Sequence, residues 1–142
     1  MSFNYSTPPA AAQTTSTYES KPLLCKSFKV DIAAGSPFTT ATTYTLGTLP
    51  KGAQVMWAVY MVPTAVSGGT VSGATIVVQA GGYTLINGAS VFSPIVASMA
   101  SNNYYANLNL ATNKDQLVTI TPTLTGSGAT AGIIYIHIFY VA

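Results

Sequence analysis

Charge is what this chain has least of. Only 6% of its 142 residues are charged, and none is Arg. An ordinary globular domain carries about 25% charged residues and covers its surface with them. The bases are Lys21, Lys26, Lys29, Lys51 and Lys114, and the acids are Glu19, Asp31 and Asp115. A nucleic-acid groove needs clustered Lys and Arg to displace counterions, and a net charge of +2 spread this way offers no such cluster. The densest basic stretch, Lys21 to Lys29, runs into Asp31 and reads as a strand edge that Lys protects from stray pairing. With so little electrostatic repulsion, copies are held apart weakly. That favours a chain that works packed against other subunits.

Metal ligands and catalytic groups are scarce too. Cys25 is the single cysteine, which excludes a disulfide within one protomer. One His, one Cys and three scattered acids fall short of a zinc or calcium site, so no metal and no cofactor is expected. A Ser-His-acid triad would have to use His137, which sits between aromatic residues in an apolar run with no Gly-x-Ser-x-Gly elbow. Nothing beyond coexistence supports a Cys25–His137 pair. A carboxylate pair would need Glu19, Asp31 and Asp115 to converge from an arm, a strand end and a loop. The chain reads as a non-enzyme.

Long apolar runs are also missing. No window approaches the roughly 20 continuous apolar residues of a membrane helix, so no membrane partner is expected. The first residues lack the basic start and apolar core of a secretory signal.

What is present is hydrophobic content of 49%, cut into short β-rich runs by Gly, Pro, Asn and Ser. Residues 1–22 form a polar arm with Pro8, Pro9 and Pro22, whose composition builds no core and predicts an extended conformation. Phe3, Tyr5 and Tyr18 are its candidate anchors on a partner. Residues 23–142 form the domain. Phe28, Val30 and Ile32 alternate with Lys29 and Asp31, and Tyr44 and Leu46 share a face. Leu49-Pro50-Lys51-Gly52 is a turn. Strands follow over 53–62, 71–79, 83–86, 104–110, 117–124 and 133–141. Ser93 and Pro94 predict a helical turn over 93–100, with Ser93 as cap. The glycine-rich stretch 126–132 lacks the Lys-Ser/Thr pair of a nucleotide loop and reads as a hairpin loop. About eight short strands with almost no helix signal predict an all-β fold, an antiparallel β-sandwich of jelly-roll type with an extended N-terminal arm.

Two strands are apolar on both faces. In 133–141, Ile134, Ile136, Ile138 and Tyr140 oppose Tyr135, His137, Phe139 and Val141. In 53–62, Val55, Trp57, Val59 and Met61 oppose Met56, Ala58, Tyr60 and Val62, with Trp57 read as core. A sandwich buries one face of each sheet. Leaving the other face wet forfeits about 1.5–3 kcal/mol per large side chain. A subunit interface, or else a folded-over loop or arm, is the expected cover; the interface is favoured, with Tyr135, His137, Phe139, Val141, Met56 and Tyr60 as its candidates. Tyr104 and Tyr105, preceded by Asn102 and Asn103, suit either an interface or a stacked sugar.

The run Leu49-Pro50-Lys51-Gly52-Ala53-Gln54-Val55, the strand through Val62, and a Gly-rich turn before Ala74-Thr75-Ile76-Val77-Val78 resemble small β-sandwich decoration (cement) proteins of tailed bacteriophages. Asp115-Gln116-Leu117-Val118-Thr119-Ile120 and the closing strand 132–141 fit the same pattern. The resemblance implies a homotrimer on the outer capsid surface of a virion, made in the host cytoplasm and bound to the major capsid protein. The alternative is a receptor- or glycan-binding module of a phage tail or surface fibre, reading sugars through Asn102, Asn103, Tyr104 and Tyr105.

Overall fold

The computed structural model describes residues 22–98, 108–109 and 114–141. These form nine strands and no helix: β1 Leu23–Ile32, β2 Tyr44–Leu49, β3 Gln54–Ser67, β4 Gly73–Ala80, β5 Tyr83–Ser90, β6 Ile95–Ser98, β7 Leu108–Asn109, β8 Gln116–Thr125 and β9 Ala131–Val141. One sheet has the order β1-β9-β3-β6, with β7 also on β3; the other has the order β2-β8-β4-β5. Every pairing is antiparallel. The chain crosses between sheets at β1–β2, β2–β3, β3–β4, β5–β6, β7–β8 and β8–β9. With β6 and β7 sharing the edge of β3, this is the winding of a jelly roll.

The core lies between the sheets. Ile134, Ile136 and Ile138 of β9 are fully buried, as are Val55, Ala58 and Val62 of β3, Ile76 and Val78 of β4, and Ile120 of β8. Strict alternation in β9 and β4 follows from the pleat, which sends successive side chains to opposite faces. Pro122 sits inside β8 without cost to the ladder. Its carbonyl accepts from Ala41 N–H at 2.8 Å, beyond the end of β2, so its missing N–H faces away from β4.

Three expectations are corrected. The region 93–100 holds a strand, β6, instead of a helical turn: Ile95 and Ser98 pair with Val62 and Tyr60 at the free edge of β3. The β-branched pair Ile95-Val96 and an open strand edge outweigh the capping signal of Ser93 and Pro94. The stretch 126–130 is a crossover between sheets, not a hairpin. It is clasped to the β3–β4 connection by Thr70 N–H to Ser127 O at 2.9 Å and Ser127 N–H to Thr70 Oγ1 at 3.0 Å. The tight hairpin is Gly81-Gly82 between β4 and β5, where φ values of 58° and 84° match the positive pair that a two-residue turn requires.

The third correction concerns β3. Val55 pairs with Tyr140 and Trp57 with Phe139, so Met56 is the extra residue of a β-bulge. The bulge reverses the parity of everything after it. Tyr60 therefore points inward and is only 5% exposed, which removes it from the expected interface. Trp57, read as core, lies on the outer face instead.

Candidate functional site: two outer faces of opposite character

The outer face of the β1–β9–β3 sheet is built in rungs. Cys25, Phe139 and Trp57 form one; Ser27, His137 and Val59 the next; Lys29, Tyr135 and Met61 the third. Trp57 and Phe139 stack with ring centroids 4.8 Å apart, and the Tyr135 and His137 rings are parallel within 2°, with centroids 6.3 Å apart. Val141 continues the patch opposite Leu23, which is 50% exposed. The β9 side chains of this face are only partly buried. Four of the six expected interface residues, Tyr135, His137, Phe139 and Val141, thus share one surface, with Met56 partly buried at the bulge beside it. Sequence reasoning missed Trp57, Val59 and Met61 here. Their apolar character was visible; the bulge that turns them outward was not.

His137 is held in place by its neighbours. Ser27 Oγ lies 2.7 Å from its Nδ1, and Met61 Sδ lies 3.4 Å from its Nε2. A catalytic Ser–His pair needs a third group, usually a carboxylate, on the far ring nitrogen. A thioether occupies that position, so the imidazole is packed and not poised. Among the described residues, charge enters this face only at one end, where Lys29 and Asp31 pair at 3.6 Å with both side chains well exposed. Such a pair contributes little to stability. Among the described residues, no group of three or more His, Cys, Asp or Glu could hold a metal ion.

The outer face of the β2–β8–β4–β5 sheet is different. Its rungs are Thr45, Thr119, Gln79 and Thr84; then Thr121, Val77 and Asn87; then Thr123, Thr75 and Ser90. Thr43 and Thr121 hydroxyls meet at 2.9 Å, and the Gln79 amide donates to Thr84 at 3.2 Å. Hydroxyls and amides dominate this surface where other proteins use charge, with Leu117, 55% exposed, as an apolar side chain at one end of β8. One sheet therefore turns an aromatic face outward and the other a threonine face.

The candidate arm residues Phe3, Tyr5 and Tyr18, and the sugar-contact candidates Asn102, Asn103, Tyr104 and Tyr105, lie outside the described residues.

No protein-family model matches the chain, and a search of curated proteins finds no match either. Among solved structures, the fold is similar to a chain of the Cyanophage Pam1 capsid asymmetric unit, with a TM-score of 0.57 and 15% identity over 85% of each chain. It is also similar to a chain of the capsid of Ralstonia phage GP4, with a TM-score of 0.53 and 20% identity over 84% of each chain. The architecture is thus a jelly roll of the kind phage capsids contain. At these identities the likeness is one of fold.

Proposed function

We propose that this chain is a non-catalytic structural protein of a phage virion, one that decorates and stabilises the outer surface of the capsid. The observation that carries the reading is the contrast between its two outer faces. An aromatic face centred on Phe139 and Trp57 seeks cover, and a threonine face tolerates water. Both belong to a fold that chains of two phage capsids share. In this reading the aromatic face joins three copies into a homotrimer, which binds the major capsid protein. The arm, through Phe3, Tyr5 and Tyr18, reaches neighbouring subunits. Three linked contacts hold tightly even where each is weak, because the second and third bind at high effective concentration. Synthesis takes place in the host cytoplasm, and neither nucleic acid nor membrane takes part.

The test is co-sedimentation of the purified protein with capsids of the parent phage that have been stripped of outer proteins. Saturable binding that raises the temperature of capsid rupture supports decoration. Protein that stays in the supernatant, or that labels only the tail in virions, contradicts it.

A further inference from the structure

The sandwich is closed at one end of the β1–β2 side and open at the other. Lys26 Nζ donates to Thr48 O at 2.6 Å and ties the two edge strands together. Beyond that tie, past Val30 and Leu46, lies a cleft of about 560 Å³. Phe38 and Tyr44 in its wall stack with centroids 5.4 Å apart. The Tyr44 ring is fixed because its hydroxyl accepts from Thr39 N–H at 2.9 Å and donates to Pro37 O at 3.3 Å. At the rim, Lys29 and Asp31 neutralise each other. The flanking strands β1 and β2 are both sheet edges, and an edge offers backbone groups to an added extended segment. The cleft therefore suits an uncharged, extended segment bearing aromatic side chains or proline.

We infer that this cleft seats residues 3–9, Phe3-Asn4-Tyr5-Ser6-Thr7-Pro8-Pro9, of a second copy of the chain. The inference rests on the reading that copies stand side by side in an oligomer, and it names a sister subunit as the neighbour that Phe3 and Tyr5 grip. Composition matches first: residues 1–18 contain no charged side chain, and the rim has no net charge. Phe3 and Tyr5 supply apolar anchors, and Pro8-Pro9 favours the polyproline conformation that aromatic grooves bind at low entropic cost.

Reach matches next. Residue 9 precedes Leu23, the first residue of β1, by fourteen positions, which span at most about 50 Å. The run of β1 from Leu23 to Val30 covers about 23 Å. Direction selects the second copy. Residues 10–22, AAAQTTSTYESKP, contain no Gly, Asn or Asp to reverse the chain, and Pro22 biases Lys21 towards extended backbone. On this inference the segment continues the line of β1 backwards, away from its own cleft, and meets that of a neighbour.

The experiment places the photo-crosslinker p-benzoylphenylalanine at Tyr5 of the full chain and irradiates an equal mixture of ¹⁵N-labelled and unlabelled protein. The expected adducts join position 5 to peptides containing Val30, Phe38 or Leu46, and half of them pair a labelled chain with an unlabelled one. Phe3→Ser, a change outside the nine strands, cuts their yield about tenfold, the effect of losing one anchor worth about 1.4 kcal/mol. Adducts elsewhere, adducts confined to one chain, or no adducts overturn the inference. Repeating the irradiation on decorated capsids separates the two claims. Adducts to the major capsid protein in place of the cleft overturn the inference and leave decoration standing. Cleft adducts in a protein that never sediments with capsids uphold the inference and remove decoration.

Discussion

Trp57 of β3 stacks on Phe139 of β9, directly opposite it in register, with ring centroids 4.8 Å apart and planes 21° from parallel. A stacked aromatic pair contributes about 0.5–1.5 kcal/mol beyond the area it buries. Facing outward, this one makes an apolar platform that the single chain leaves only partly buried.

Trp57 is the only tryptophan, so its emission reports on that platform alone. Diluting the protein through its association range is expected to move the emission to longer wavelength and to raise quenching by iodide. Emission independent of concentration would mean that nothing covers the face.

Tyr60 and Phe139 separate folding from assembly. Tyr60→Ala empties a core position and is expected to cost about 3–5 kcal/mol in urea unfolding. Phe139→Ala lies on the outer face, where it removes the stack on Trp57 and part-buried area, and is expected to cost the monomer about 1–2 kcal/mol while weakening association by about 2 kcal/mol or more. Equal effects of the two on folding would place Phe139 in the core.

Lys26 closes one end of the cleft. Lys26→Met keeps an apolar side chain of similar length but loses the bond to Thr48 O, a charge-assisted contact of about 1.5–3 kcal/mol, and the ammonium that lies 5.9 Å from the Phe28 ring centroid. Faster amide exchange in β1 and β2, with β4 and β5 unchanged, is the expected signature in hydrogen–deuterium exchange.

Glycine conformation decides the β8–β9 crossover. Gly126 has φ of +91°, and a Cβ there would be driven into the Thr70 carbonyl, so Gly126→Ala is expected to cost about 2–4 kcal/mol. Gly35 has open space around it, and Gly35→Ala is expected to be neutral or to stabilise by up to about 1 kcal/mol. Thermal unfolding of the two variants checks both signs.

The sandwich was legible because about eight short β-rich runs recur between Gly, Pro and Asn breaks, and because Phe28, Val30 and Ile32 alternate with Lys29 and Asp31 in β1, where Phe28 and Ile32 are buried. Pro50 and Gly52 likewise marked a turn that closes with Ala53 N–H on Pro50 O at 3.1 Å. In β3 the same reasoning failed for a physical reason. Both faces of that strand are apolar, so the pattern on either side of Met56 looks the same with or without an extra residue. Only pairing with β9 reveals the bulge, and with it the outward turn of Trp57 and the inward turn of Tyr60. The helix signal at Ser93 failed because it is local, while the strand at Ile95 depends on an edge of β3 distant in sequence.

The measurement that bears most directly on the account is the solution mass of the full chain by light scattering, alongside Phe139→Lys and Thr121→Lys. A stable trimer that Phe139→Lys dissociates and Thr121→Lys leaves intact is the predicted result. It would mean that copies meet through the aromatic face and leave the threonine face to water. A monomer at every concentration, or a trimer broken by Thr121→Lys and not by Phe139→Lys, would contradict it.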